Sequence, residues 1–84
     1  MGRGRKPEEW EKRRLEILKK AYELEKRGYR YWFWYNVGAF PAELMKLVTE
    51  GYITCHHSAF HKRWAYSLTE KGKELVEKEG AIND

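Results

Sequence analysis

With 84 residues, 17 Lys and Arg against 13 Asp and Glu, and one cysteine, the chain reads as one small domain without an internal disulfide. No apolar run approaches the roughly 18 residues of a membrane span, and the basic start lacks the apolar segment of a signal peptide. The net charge of +4 permits a polyanionic partner without demanding one.

A core this small needs efficient packing or a partner. The 15% aromatic content suits that need, because Trp, Tyr and Phe bury the most area per residue. A lone cysteine fits a reducing, cytoplasmic compartment. Glutamine is absent while Lys, Arg and Glu abound. That pattern suits a hyperthermophile, where labile amides are avoided and ion-pair networks gain value.

In chain order, residues 1–6 read as a flexible basic arm carrying Arg3, Arg5 and Lys6 and no acid. A domain follows over 7–80, with a short tail at 81–84. "PEEWEKRRLEILKKAYELEKRG" predicts a long helix: Pro7 and two glutamates at its start, Lys26, Arg27 and Gly28 at its end. Trp10, Ile17, Leu18, Ala21 and Leu24, with Tyr22 beside them, form an apolar stripe at helical spacing. Arg13 and Arg14 read as solvated partners of nearby glutamates, within a set of i,i+4 pairs such as Glu9–Arg13.

"YRYWFWYNVG" places six aromatics between Tyr29 and Tyr35. Alternation puts Tyr31, Phe33 and Tyr35 on one side and Trp32 and Trp34 on the other. Short strand and irregular helix both fit. Core, dimer interface and base stacking on nucleic acid all remain open for these rings.

"FPAELMKLVTEGYI" predicts a helix from Pro41, with Phe40, Leu44, Leu47 and Val48 on its apolar stripe and Gly51 at its end. A hairpin is expected next: Tyr52–His57, a loop over Ser58–Lys62, then Arg63–Leu68. Thr69 suits an N-cap for a last helix, in which Gly72 costs about 1 kcal/mol relative to Ala. The fold class is therefore α+β.

Two stretches carry a resemblance. "ELMKLVTEGYI" resembles a recognition helix running into the first strand of a wing. "RWAYSLTEKGKELVEK" resembles the second wing strand and the closing helix. Together, over roughly Phe40 to Lys78, they are similar to winged helix-turn-helix domains, PadR-like and MarR-like regulators and small archaeal winged-helix proteins among them. The resemblance implies helices, a two-stranded wing and a C-terminal helix, and a transcription regulator of an archaeon or of its virus or plasmid. The usual polar second helix is replaced here by the aromatic run.

The implied partner is double-stranded DNA, met by a recognition helix at 41–50, a wing at 54–66 and the arm. The residues expected to touch it are Arg3, Arg5, Lys6, Arg30, Lys46, Thr49, His61, Lys62 and Arg63. Arg-Gly-Arg near a proline resembles an AT-hook core, although Lys6 intervenes before Pro7. The exposed positions of the recognition helix are expected to be Ala42, Glu43, Met45, Lys46, Thr49 and Glu50, so two acids would face phosphate. That argues for an alternative, a winged-helix module that binds proteins of the replication or transcription machinery without touching DNA. Apolar surface on the first helix and the aromatic run points to a homodimer.

Cys55, His56, His57 and His61 lie within seven residues. Strand alternation separates His56 from Cys55 and His57. At most Cys55, His57 and His61 converge, one ligand short of a structural zinc site. Histidines beside Lys62 and Arg63 would instead tighten DNA binding as pH falls through about 6.5. No nucleophile–base pair or paired carboxylate has a plausible pocket, so neither a cofactor nor an enzymatic activity is expected.

Overall fold

The computed structural model describes residues 7–80. The expected arm residues Arg3, Arg5 and Lys6 and the tail at 81–84 lie outside them. The fold is α+β. Helix α1 (Pro7–Lys26) leads to a short α2 (Trp34–Val37), then to α3 (Pro41–Glu50). Strands β1 (Ile53–Ser58) and β2 (Arg63–Leu68) pair antiparallel, and α4 (Glu70–Leu75) runs into a π-helical turn at Val76–Gly80. This order is compatible with a winged-helix-like arrangement.

The aromatic run is both of the things its sequence allowed. Trp32 makes an isolated antiparallel bridge with Tyr66 of β2, exchanging N–H···O bonds of 3.0 and 2.9 Å. The chain then turns into α2 at Trp34. The Phe33 N–H donates to Asn36 Oδ1 at 2.9 Å, which satisfies one orphan donor at that helix start.

The main core is built from one face of each element. Ile17, Leu18 and Ala21 of α1 meet Leu44 and Leu47 of α3, with Trp32, Ile53, Tyr66 and Leu68 closing the layer. Glu25 links three elements: its Oε2 accepts from Trp32 Nε1 at 3.0 Å and from the Leu68 N–H at 2.8 Å. Phe40 departs from the expected stripe. It is the N-cap of α3, where the backbone is extended, and its ring is 67% exposed.

The hairpin register pairs Ile53 with Leu68, Cys55 with Tyr66 and His56 with Ala65. Alternation therefore sends Ile53, Cys55, Tyr66 and Leu68 to the core, and His56 and Ala65 to the opposite face. Ala65 is nevertheless fully buried. A second apolar layer covers it. Tyr31 packs edge-on against Phe33, His56 and His61, and Phe33 packs against His61.

Thr69 caps α4 as expected. Its Oγ1 accepts from the Gly72 N–H at 3.1 Å and its hydroxyl donates to the Gly51 carbonyl at 2.7 Å. Gly72 is a requirement rather than a cost. A Cβ there would overlap the Tyr52 carbonyl oxygen, so α4 sits against the α3–β1 connection only because that side chain is missing.

Candidate nucleic-acid interface

The orientation of α3 decides what it can present. Glu43 and Glu50, expected on its outer face, are turned back onto α1. Arg13 grips Glu43 with two bonds, Nε to Oε2 at 2.8 Å and Nη2 to Oε1 at 2.9 Å. This is the fork geometry in which arginine binds carboxylate most strongly. Only 11% of the Glu43 side chain is exposed. The same carboxylate accepts from the Phe40 N–H at 3.0 Å, so it caps its own helix as well. Glu50 accepts from Trp10 Nε1 at 3.1 Å and meets Arg14 Nη1 at 3.6 Å.

Arg13 and Arg14 are thus not solvated partners of acids on their own helix. Arg13 does touch Glu16 at 3.3 Å, but its principal partner lies thirty residues away. The hydrogen bonds that Arg13 donates to Glu43, and the charge of that carboxylate, raise the Arg13 guanidinium pKa, with desolvation opposing. Arg14 lies over the Tyr52 ring at 5.0 Å.

With both acids withdrawn, the exposed residues of α3 include Ala42, Met45, Lys46 and Thr49. Lys46 Nζ sits 4.5 Å from the centroid of the Trp10 ring, a cation–π contact that restrains an otherwise free side chain. Two of the predicted contact residues, Lys46 and Thr49, are therefore exposed on α3, while the carboxylates of Glu43 and Glu50 are paired with α1.

The wing tip holds three more. Ser58 anchors the turn: its Oγ accepts from the His61 N–H at 3.2 Å and bonds His61 Nδ1 at 2.9 Å, while the Lys62 N–H donates to its carbonyl at 2.6 Å. Lys62 takes a left-handed φ of 57° to close this turn, and its side chain is exposed. The Arg63 guanidinium lies 5.6 Å from the Phe33 centroid and 5.4 Å from that of Tyr35. His61 faces the Tyr31–Phe33 layer, which makes it part of the packing beneath Arg63. Arg30 lies at the other end of the hairpin, where its carbonyl accepts from Ser67 Oγ at 2.9 Å. It does not join the tip.

The possible convergence of Cys55, His57 and His61 does not occur. Cys55 packs against the main core. His57 meets the Trp64 ring edge-on at 5.5 Å, and His61 lies on the opposite face of the hairpin. Among the described residues no group of three His, Cys, Asp or Glu side chains is placed to hold a metal ion.

Tyr35, Trp34 and Phe60 carry large exposed rings next to these cations. The expected contact residues include none of the three, although the sequence of the aromatic run leaves base stacking open for Trp34 and Tyr35. The signal that marks them is the distribution of acids. Residues 26–42 and 51–69 contain no Asp or Glu, yet they hold eleven of the thirteen aromatics. Among the described residues no helix is long and apolar enough to cross a membrane. No protein-family model, curated protein or solved structure matches the chain.

Proposed function

We propose that this protein binds double-stranded DNA as a small cytoplasmic winged-helix transcription regulator. In this reading α3 enters the major groove with Lys46 and Thr49, while Lys62 and Arg63 of the wing meet phosphate. Arg3, Arg5 and Lys6 follow the minor groove. The observation that carries it is the withdrawal of Glu43 and Glu50 onto Arg13, Arg14 and Trp10. That lessens the repulsion an acidic recognition helix would suffer from phosphate, because each acid is paired with an arginine.

The test is a duplex titration at about 50 and 200 mM salt, with and without residues 1–6. Counterion release makes affinity fall steeply with salt when phosphates are neutralised. Removing three cations should both weaken binding and flatten that dependence. Salt-insensitive or absent binding would overturn the proposal.

A second reading has one observation in its favour. Phe40 at the start of α3 and Met45 in its middle are more than half exposed, an unusual pair for a helix lying among bases and phosphates. They suit a winged-helix module that docks a protein, or a second copy of this chain in a homodimer. Phe40→Ser with Met45→Ser would leave duplex affinity intact if DNA is the partner of this face. It would abolish association with a protein or a second copy if they are.

A further inference from the structure

The surface running from α2 to the wing tip carries rings that the duplex reading does not use. Several of its rings pack on one another. Tyr35 lies nearly parallel to Phe33, centroids 5.6 Å apart at 15°, and Trp34 meets Tyr35 edge-on at 5.7 Å. Phe33 is itself buried, so the exposed Tyr35 ring rests on a fixed base. Phe60 at the tip is 89% exposed and touches the His61 ring edge-on at 5.0 Å. Arg63 lies beside Phe33 and Tyr35, Lys62 follows Phe60 within two residues, and no acid occurs in either segment.

Rings interleaved with cations and free of carboxylates match a ligand that alternates flat apolar faces with negative charge. In a duplex those faces are hidden in the stack. Only unpaired nucleotides offer them, and each base stacked on an aromatic side chain contributes to affinity without regard to sequence. A purely apolar protein partner would account for the rings but not for the exclusion of acids.

We infer that the α2–wing surface binds single-stranded nucleic acid, with bases stacking on Tyr35 and Phe60 and the backbone phosphates meeting Lys62 and Arg63. This site shares Lys62 and Arg63 with the wing contact of the duplex reading but uses neither Lys46 nor Thr49 of α3, and it stands whether or not the chain binds duplex DNA.

The full chain would be titrated with a labelled oligothymidylate of about 12 nucleotides. Anisotropy and tryptophan fluorescence would be followed, the latter because Trp34 and Trp64 are each about half exposed. Binding with a fluorescence change is expected. Phe60→Ala and Tyr35→Ala should each weaken it on the order of tenfold, Tyr35→Phe should retain it, and Lys46→Ala should leave it unchanged. Phe60→Ala removes a solvent-exposed ring, so its effect cannot be ascribed to unfolding.

No binding at low salt, or equal affinity in the Phe60→Ala and Tyr35→Ala variants, would overturn the inference. So would light scattering showing that these two substitutions convert a dimer to a monomer while strand affinity is unmoved, since a second copy would then occupy the surface. A parallel duplex titration keeps the two sites apart: Lys46→Ala is expected to act there alone.

Discussion

The two faces of the β1–β2 hairpin are built from alternate residues of the same strands, yet they do different work. The inner face sends Ile53, Tyr66 and Leu68 into a layer closed by α1 and α3. The outer face is roofed by Tyr31, Phe33, His56 and His61 over Ala65, with Tyr35 of the short α2 stacked on Phe33. The inner layer is sealed from water by helices. The outer one is sealed by its own rings, and its upper side stays accessible. One strand pair thus supplies both a helix-covered core and an aromatic outer face.

Neighbouring residues Trp32 and Phe33 test that difference most directly, because they point to opposite faces. Trp32 is fully buried, and its Nε1 holds Glu25. Trp32→Ala should cost about 3–5 kcal/mol, enough to unfold much of a small domain. Phe33→Ala should cost about 2–3 kcal/mol, since its partly exposed neighbours Tyr31 and His61 can close over the gap. Urea unfolding of both variants checks this. Equal losses would mean the two layers form one cooperative core.

Gly72→Ala comes next. Helix propensity alone favours the substitution by about 1 kcal/mol. The overlap of the new Cβ with the Tyr52 carbonyl should reverse the sign and cost about 2 kcal/mol, in line with overpacking elsewhere. A variant that melts higher than the parent would show that α4 can move away from the inner layer without loss.

These cases mark what the sequence made legible. Alternation in "YITCHH" placed Ile53 inward and split Cys55 from His56, because period two is a local property of the strand. Thr69 as a cap and Gly51 as a helix end were equally local. The need for Gly72 was not, since the Tyr52 carbonyl that excludes a side chain comes from another element. The same holds for Glu43 and Glu50. Helical spacing says which residues share a face. It does not say that Arg13 and Arg14, some thirty residues earlier, will draw that face inward. At the site, Lys62 and Arg63 were legible as charge at a turn. His61 was assigned to phosphate because its packing against Tyr31 and Phe33 depends on a bridge at Trp32 that no periodicity revealed.

The Arg13–Glu43 pair extends the comparison to the surface of α3. Arg13→Ala removes two bonds from a largely buried carboxylate that keeps the Phe40 N–H. A loss of about 1–2 kcal/mol is expected, below the value for a fully buried pair because a quarter of the Arg13 side chain meets solvent. If α3 faces DNA, freeing Glu43 should also weaken duplex binding while oligothymidylate binding persists. A double-mutant cycle with Glu43→Ala separates the pair from its parts. A coupling near zero would remove the argument that α1 sets the charge of that face.

The smallest effect belongs to Tyr66, an inner-face residue that can ionise. Burial, and then the neighbouring Cys55, raises its pKa above the ordinary 10.0. The folded state therefore holds the neutral phenol more tightly than the unfolded chain does. The sign follows from linkage: Tyr66 contributes its full stabilisation below about pH 10, and that contribution is lost as pH rises through the higher folded value. Tyr66→Phe cannot ionise. Its stability relative to the parent should be flat from about pH 7 to pH 9 and then improve above about pH 10, measured by urea unfolding at each pH. A constant difference across that range would mean that the phenol is as well solvated as the outer rings, and that the inner layer is open to water at the Tyr66–Cys55 pair.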